Sequence, residues 1–364
     1  MRLLFALPGF HRYDRGAEVA LLSVADALAR AGDSVTVIGS GADRPGKAYD
    51  FCRVPSVRRE TFERFPHFPP LRSETAWEDA SFAPGLLSAY RPSDYDASIT
   101  CSFPFTHWAL RRPSASKPLQ IFVTQNGDWP AFASNSEYRT FSCDGLVCTN
   151  PDYFERNRAQ WDCALIPNGA DLDRFHPGAA ERARFGLPAD RPVILMVSAF
   201  IATKRVLDGI RAVAKLDNAF LVVAGDGPLR DEGQALADAL LPGRFKRLSL
   251  AATDMPALYR SADAFLHLSL LESFGNVFIE AWASGLPVVG HDSDRLRWIL
   301  GAGAEFLCDT EDQAVLVETL RKSLTRGAAR VGRAKGIDRF SWPAIAGQYR
   351  DFISRLLAER SSVR

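Results

Sequence analysis

Short apolar runs alternate with stretches of helical periodicity along most of the chain. Residues 3–7 form a continuous apolar run, which a parallel strand buried on both faces requires. A polar, glycine-containing loop follows to Arg15. Gly16-Ala17-Glu18 opens a helix through Ala31, with Val19, Leu22, Ala25 and Leu28 at helical spacing. Gly32 ends that helix, and residues 34–38 make the next strand. Strand, helix and strand in this order predict a βαβ unit and a doubly wound parallel sheet. Further strands are expected at 98–101, 120–124, 145–148 and 164–166. Residues 41–97 show no such order and read as irregular, rich in Pro, Arg and aromatics.

A second alternation follows the Pro167-Asn168-Gly169 turn signal. Residues 171–190 read as a connector with a short helix. Strands are then expected at 193–198, 219–224, 246–250, 264–268, 287–290 and 305–308. Helices are expected at 206–216, from 228 to 241, and at 255–261, 276–284 and 295–300, with another from 311. The closing segment places Ile345, Tyr349, Phe352, Ile353, Leu356 and Leu357 on one helical face. The expected division is therefore an N-terminal Rossmann-like domain over 1–168, joined by the helix 342–364, and a second over 169–341. Ligands of such sheets bind at the carboxyl ends of the strands. The loops after Leu7, Ser198, Ala224 and Leu268 are the places to look.

Composition narrows the reading. A length of 364 residues suits two domains, and 47% hydrophobic content supports packed cores. A net charge of +1 gives no electrostatic footprint for nucleic acid. Six scattered cysteines without a CxxC pair read as reduced thiols of a cytoplasmic protein, not as a zinc or redox motif. The opening MRLLFALPGF is too short an apolar run for a signal peptide, and no stretch reaches the length of a membrane span. Arg53, Arg58, Arg59, Arg64 and Arg72 interleave with Phe51, Phe62, Phe65 and Phe68. This tract reads as a loop packed on its own aromatics; the alternative is a border of the acceptor site or a peripheral contact at the inner face of a membrane.

The most informative stretch is LLESFGNVFIEAWASGLPVV, residues 270–289. Glu280 lies in an expected helix that is otherwise apolar all round, and such a helix is normally buried. An ionised carboxylate there needs an internal partner or a polar ligand. Glu272 precedes the same helix, whose N-terminus favours anions. Two carboxylates, a glycine loop and a helix N-terminus suit a ligand that carries both hydroxyls and phosphate.

These residues resemble glycosyltransferase family 4, the retaining, nucleotide-sugar-dependent group of the GT-B fold. ESFGNVFIEAWASGLPVV is similar to its E-x7-E signature. IPNGADLDRFHP, GDGPLR and MPALYRSADAFLHLS resemble three further blocks. The resemblance implies an α/β GT-B architecture, with two Rossmann-like domains facing across a central cleft that closes on the substrates. It implies Glu280 at the donor ribose and Glu272 at the donor sugar. It implies Phe274, Gly275, Asn276 and Val277 as the loop meeting sugar and diphosphate, Lys204 on the diphosphate, and Gly16 in a glycine loop approaching the phosphates. Gly225 and Gly227 of GDGPLR join the donor-binding set. The leaving phosphate would help deprotonate the acceptor hydroxyl, so no protein nucleophile is expected. The expected partners are a nucleotide diphosphate sugar and a saccharide or lipid-linked saccharide acceptor. No cofactor and no metal is expected, since Asp171-Leu172-Asp173 reads as a turn.

The chain departs from the family pattern at three places. Ala199 stands where an Arg is usual, leaving Arg205, Arg12 or Arg15 as stand-in cations. Arg15-Gly16-Ala17 replaces a double glycine. Gln125-Asn126-Gly127-Asp128 stands where a His is common, which makes Asp128 the candidate polar catalytic group there. Two rivals stay open on the sequence: a nucleotide-sugar epimerase of the same fold, and a non-catalytic nucleotide-sugar-binding protein. His11 reads as a ligand-facing group or a surface loop residue, and His107 as a packing or surface residue.

Overall fold

The structure is a computed structural model that describes residues 1–112, 117–270, 272–327 and 335–362. Leu271, in the stretch singled out above, lies outside them. The chain divides into two units, Met1–Gly169 with Trp342–Arg364, and Ala170–Ser341.

The first unit begins β1 (Arg2–Ala6), α1 (Gly16–Arg30), β2 (Ser34–Gly39) and β3 (Asp50–Arg53). It continues α2 (Glu74–Ala89), β4 (Ala97–Thr100), α3 (Phe105–Leu110) and β5 (Leu119–Val123). It then runs α4 (Trp129–Phe132), β6 (Gly145–Cys148), α5 (Pro151–Asn157) and β7 (Cys163–Leu165). The seven strands are parallel in the order β3-β2-β1-β4-β5-β6-β7. Alternate strand residues point to opposite faces. Leu3, Phe5, Val35, Val37, Ile99 and Ile121 meet Leu21, Val24 and Leu28 of α1 on one face. Leu4, Ala6 and Ile38 meet Phe82 and Leu86 of α2 on the other.

The irregular region expected over 41–97 in fact contains β3 and α2. Edge strand β3 is short and only partly buried, so its pattern is weak. Helix α2 carries Pro84 and Gly85 in its interior, which argue against a helix on propensity. Ser73 caps it by accepting from the Ala76 amide, and burial of Phe82 and Leu86 holds it. Within the Arg-aromatic tract, Phe62, Phe65 and Phe68 pack around Trp77 at ring-centroid distances of 5.7, 5.4 and 5.9 Å. Arg72 pairs with Glu137. The tract is thus packed on its own aromatics, with Phe65 and Phe68 still exposed.

The second unit runs β8 (Val193–Val197), α6 (Val206–Ala214), β9 (Phe220–Ala224), α7 (Arg230–Leu240), β10 (Phe245–Leu248) and α8 (Met255–Ser261). It continues β11 (Ala264–His267), α9 (Asn276–Ala283), β12 (Val288–His291), α10 (Asp294–Leu300), β13 (Leu307–Cys308) and α11 (Gln313–Gly327). Its six parallel strands take the order β10-β9-β8-β11-β12-β13. One face packs Val193, Leu195, Val222, Phe265 and Val288 against α8 and α9. The other packs Ile194, Met196, Leu221, Val223 and Leu266 against α6, α7 and α11. The last helix, α12 (Trp342–Ser362), returns to the first unit and packs on α1. All six cysteines are free thiols. Among the described residues, no helix is long and apolar enough to cross a membrane.

Candidate active site

Chain order reverses between neighbouring strands β8 and β11, so the loops that leave their carboxyl ends open side by side. One loop carries Lys204, in the short 3-10 turn Ala202–Lys204. The other carries Glu272. Lys204 Nζ donates to Glu272 Oε1, and both side chains are more than three-quarters buried. A third residue joins them. His267, the last residue of β11, places Nε2 2.9 Å from the same Glu272 oxygen. Burial pushes the Glu272 carboxyl up, but the hydrogen bonds and charges of His267 and Lys204 outweigh it and hold it at about 2. Arg295 of α10 donates to the Glu272 backbone carbonyl and ties the loop to the next element.

Gly275 turns the chain into α9 with φ 93°, a conformation that costs other residues strain. As the N-cap residue, Gly275 has no side chain to offer the helix that follows. Asn276 and Val277 form its first turn. Phe274 is 2% exposed and packs its ring toward Trp298 and Phe340, so only its backbone is available to a ligand. Glu280 follows on the half-buried side of α9. Tyr259 Oη of α8 donates to Glu280 Oε2 at 2.9 Å. Burial pushes the Glu280 carboxyl above its usual range, and the Tyr259 hydrogen bond and the Arg174 charge offset part of that. One carboxylate oxygen is thereby fixed from behind, and the other is left to accept.

Gly225 and Gly227 follow β9. A Cβ at Gly225 would stand 2.0 Å from the Ser198 carbonyl oxygen, and one at Gly227 2.7 Å from that of Phe200. Phe200 N donates to Asp226 O, and Leu229 N to Phe200 O, both at 2.9 Å. These glycines let two loops zip together along the stretch that holds Ala199.

Two of the expected residues take other tasks. Arg205 adopts a left-handed conformation with φ 53°. Its guanidinium donates to Asp208 at 3.0 Å, to Thr310 at 2.9 and 3.1 Å, and to the Leu268 carbonyl at 3.4 Å. It braces the ends of β11 and β13 and is committed before any ligand arrives. Asp128, in the first unit, is 3% exposed. It accepts from Arg156 Nε and Nη2 at 2.8 and 2.9 Å and from Asn157 Nδ2 at 2.8 Å. That carboxylate anchors α5 beneath the loop. It has a structural task in place of the catalytic one expected for it, because three of its about four lone-pair positions are already taken. Gln125 of the same loop is buried and paired reciprocally with Asn168.

Also in the first unit, Gly16 is the first residue of α1, and no side chain caps it. Arg12 is tied to Ser56 and Glu78. Arg15 stacks on Tyr13 at 3.7 Å and lies 4.0 Å from the buried Glu18. Among the described residues, no three His, Cys, Asp or Glu side chains converge as a metal site would need.

The sequence reading missed His267, Tyr259 and Arg295. His267 left a signal, since a lone ionisable residue interrupts the apolar run AFLHL.

Two units, each a parallel sheet of βα repeats, with two carboxylates and a lysine at the carboxyl-end switch point of the second, define the class of doubly wound α/β proteins that bind ligands at that place. Residues 15–174 match Glycosyltransferase Family 4, and residues 179–335 match Glycosyl transferases group 1. The chain is 31% identical over 237 residues to the lipopolysaccharide core biosynthesis glycosyltransferase LpsE of Rhizobium meliloti (strain 1021), covering 62% of this chain and 68% of that protein. Among solved structures, sucrose-phosphate synthase from Thermosynechococcus elongatus superposes with TM-score 0.76 at 21% identity, covering 99% of this chain and 100% of that one. Anabaena Alr3699/HepE, solved in complex with UDP-glucose, superposes with TM-score 0.70 at 18% identity, covering 98% of this chain and all of that one. The chain belongs to glycosyltransferase family 4; it is an enzyme, a glycosyltransferase, and its fold is GT-B.

Proposed function

We propose that the chain transfers a sugar, with retention, from a nucleotide diphosphate sugar to a hydroxyl of a saccharide or lipid-linked saccharide in envelope polysaccharide synthesis. The observation that carries this reading is the convergence of Lys204, Glu272 and His267 at the β8–β11 switch point, beside the N-terminus of α9. Glu280 accepts from the ribose hydroxyls, with Tyr259 holding it from behind. Glu272 accepts from the donor sugar. Lys204 and the α9 N-terminus take the diphosphate charge that grows as the sugar departs. Lysine and helix dipole together supply the charge that a divalent ion supplies elsewhere, so the transfer is proposed to need no metal and no cofactor.

The envelope assignment draws on the likeness to LpsE, and the choice of UDP-glucose as the first donor to try draws on the HepE complex. A thermal-shift panel of UDP, GDP, ADP and dTDP with their glucose or mannose conjugates tests the reading. One nucleotide should raise the melting temperature by mass action. Glu280→Ala should weaken that nucleotide about tenfold or more, through loss of a charge-assisted acceptor. Unchanged affinity by calorimetry would reduce Glu280 to a packing residue. A lipid-linked acceptor would also place exposed Phe65 and Phe68 against a membrane surface. Failure to co-sediment with anionic liposomes at low salt would remove that contact.

A further inference from the structure

β11 is apolar apart from its last residue, and His267 there is 2% exposed. Its ring packs edge-on to Phe278, with centroids 5.0 Å apart, and stacks toward Phe265 at 6.2 Å. A phenylalanine would fill that space as well. The histidine instead leaves Nδ1 buried with no hydrogen-bond partner. A buried polar atom without a partner costs stability and calls for a compensating role. Its other nitrogen supplies one. A carboxylate can only accept, so Nε2 carries the hydrogen in its 2.9 Å bond to Glu272.

Glu272 Oε1 therefore has two donors of different character. Lys204 reaches it from a loop, on a long flexible stem with 23% exposure. His267 reaches it from a strand, buried and fixed by aromatic packing. We infer that His267 is a positioning residue for the transfer: it keeps Glu272 aimed at the donor sugar once Lys204 has turned to the diphosphate. This rests on the proposed nucleotide-sugar reading of the site. Without the histidine, the departure of Lys204 would leave a largely desolvated carboxylate with no donor. Such a carboxylate follows the lysine or takes up a proton, and either change removes the acceptor that the sugar hydroxyl meets. The unliganded contact between Lys204 and Glu272 is then a resting state, and His267 is the partner that persists through turnover.

The test compares wild type with His267→Phe, which keeps the ring packing, and His267→Gln, which keeps an amide donor at a similar reach. The donors are UDP-glucose, UDP-galactose, UDP-N-acetylglucosamine, GDP-mannose and ADP-glucose. With the donor that wild type uses, the Phe variant should lose about tenfold to hundredfold in kcat. Its nucleotide affinity should stay within about twofold, because the nucleotide contacts are untouched. The acid limb of its pH–rate profile should move upward, and the Gln variant should recover most of the loss. A Phe variant with wild-type kcat and pH profile overturns the role of His267 alone. So does equal loss of affinity and turnover in both variants, which is the signature of packing. A wild type that binds and turns over none of the panel overturns the reading of the site, and this role with it.

Discussion

At the scale of single residues, the two carboxylates of the E-x7-E signature are set apart by what stands behind them. Glu272 has an imidazole and an ammonium, and its carboxyl is held at about 2. Glu280 has a buried phenol and dense apolar packing, and its carboxyl lies above the usual range. The first stays ionised under all ordinary conditions; the second is held less firmly in its ionised form. A stability consequence follows from Glu272. In the unfolded chain its carboxyl titrates near 4.5, while in the fold it titrates at about 2. Between those values the unfolded state binds the extra proton, so the stabilisation is full above the upper value and drains away as pH falls toward the lower. Glu272→Gln removes that one titration. Its unfolding free energy should fall less steeply than wild type across this window, by up to about 1.4 kcal/mol per pH unit. Denaturant melts at several pH values read the slopes, and parallel slopes would mean that Glu272 is not held down in solution.

At the scale of elements, α12 shows how far a helix can sit in sequence from the core it completes. Ile345, Tyr349, Phe352, Ile353 and Leu356 are all buried against β-strand and α1 residues of the first unit. Gly145 of β6 belongs to the same fit, since a Cβ there would stand 2.7 Å from Leu356. Arg350 adds a hydrogen-bonded pair with Asp33, at 2.7 and 3.0 Å. Ile353 is fully buried, so Ile353→Ala should cost about 2–5 kcal/mol through lost burial and the cavity it leaves. Urea unfolding measures this, and a loss under about 0.5 kcal/mol would show that α12 is only loosely docked. The amphipathic stripe made the helix legible in the sequence. The face it covers was legible only as an expectation, because a stripe states that something is buried and not what buries it.

At the scale of the whole molecule, the chain repeats one solution twice. Each unit is a parallel sheet whose order reverses once, between β1 and β4 in the first and between β8 and β11 in the second. In the second unit that reversal brings Lys204 and Glu272 together across 68 residues of sequence. The loop zipped by Gly225 and Gly227 supports the Lys204 side, and Arg205 braces it from below through Thr310. Rigid support of this kind is what the proposed transfer would need, since charge set in place before a ligand arrives is the largest lever on a leaving phosphate. A nucleotide held at about one hundred times its Kd should add about 2.7 kcal/mol to this arrangement, which is the shift the thermal panel reads.

The sequence by itself determined the alternation of strands and helices, the position of the unit boundary near Gly169, and the family. Apolar runs and helical stripes are local, and motifs such as ESFGNVFIEAW carry their spacing with them. Local rules failed where packing overrides propensity, as in α2, which forms despite Pro84 and Gly85. They failed again at Asp128 and Arg205, whose polar atoms look available in sequence and are consumed by Arg156, Asn157 and Thr310 in the fold. Only the tertiary structure could put His267 behind Glu272 and Tyr259 behind Glu280. A hydrogen bond is a statement about distance in space, and the pairing of buried donors with acceptors is decided when the strands and helices pack.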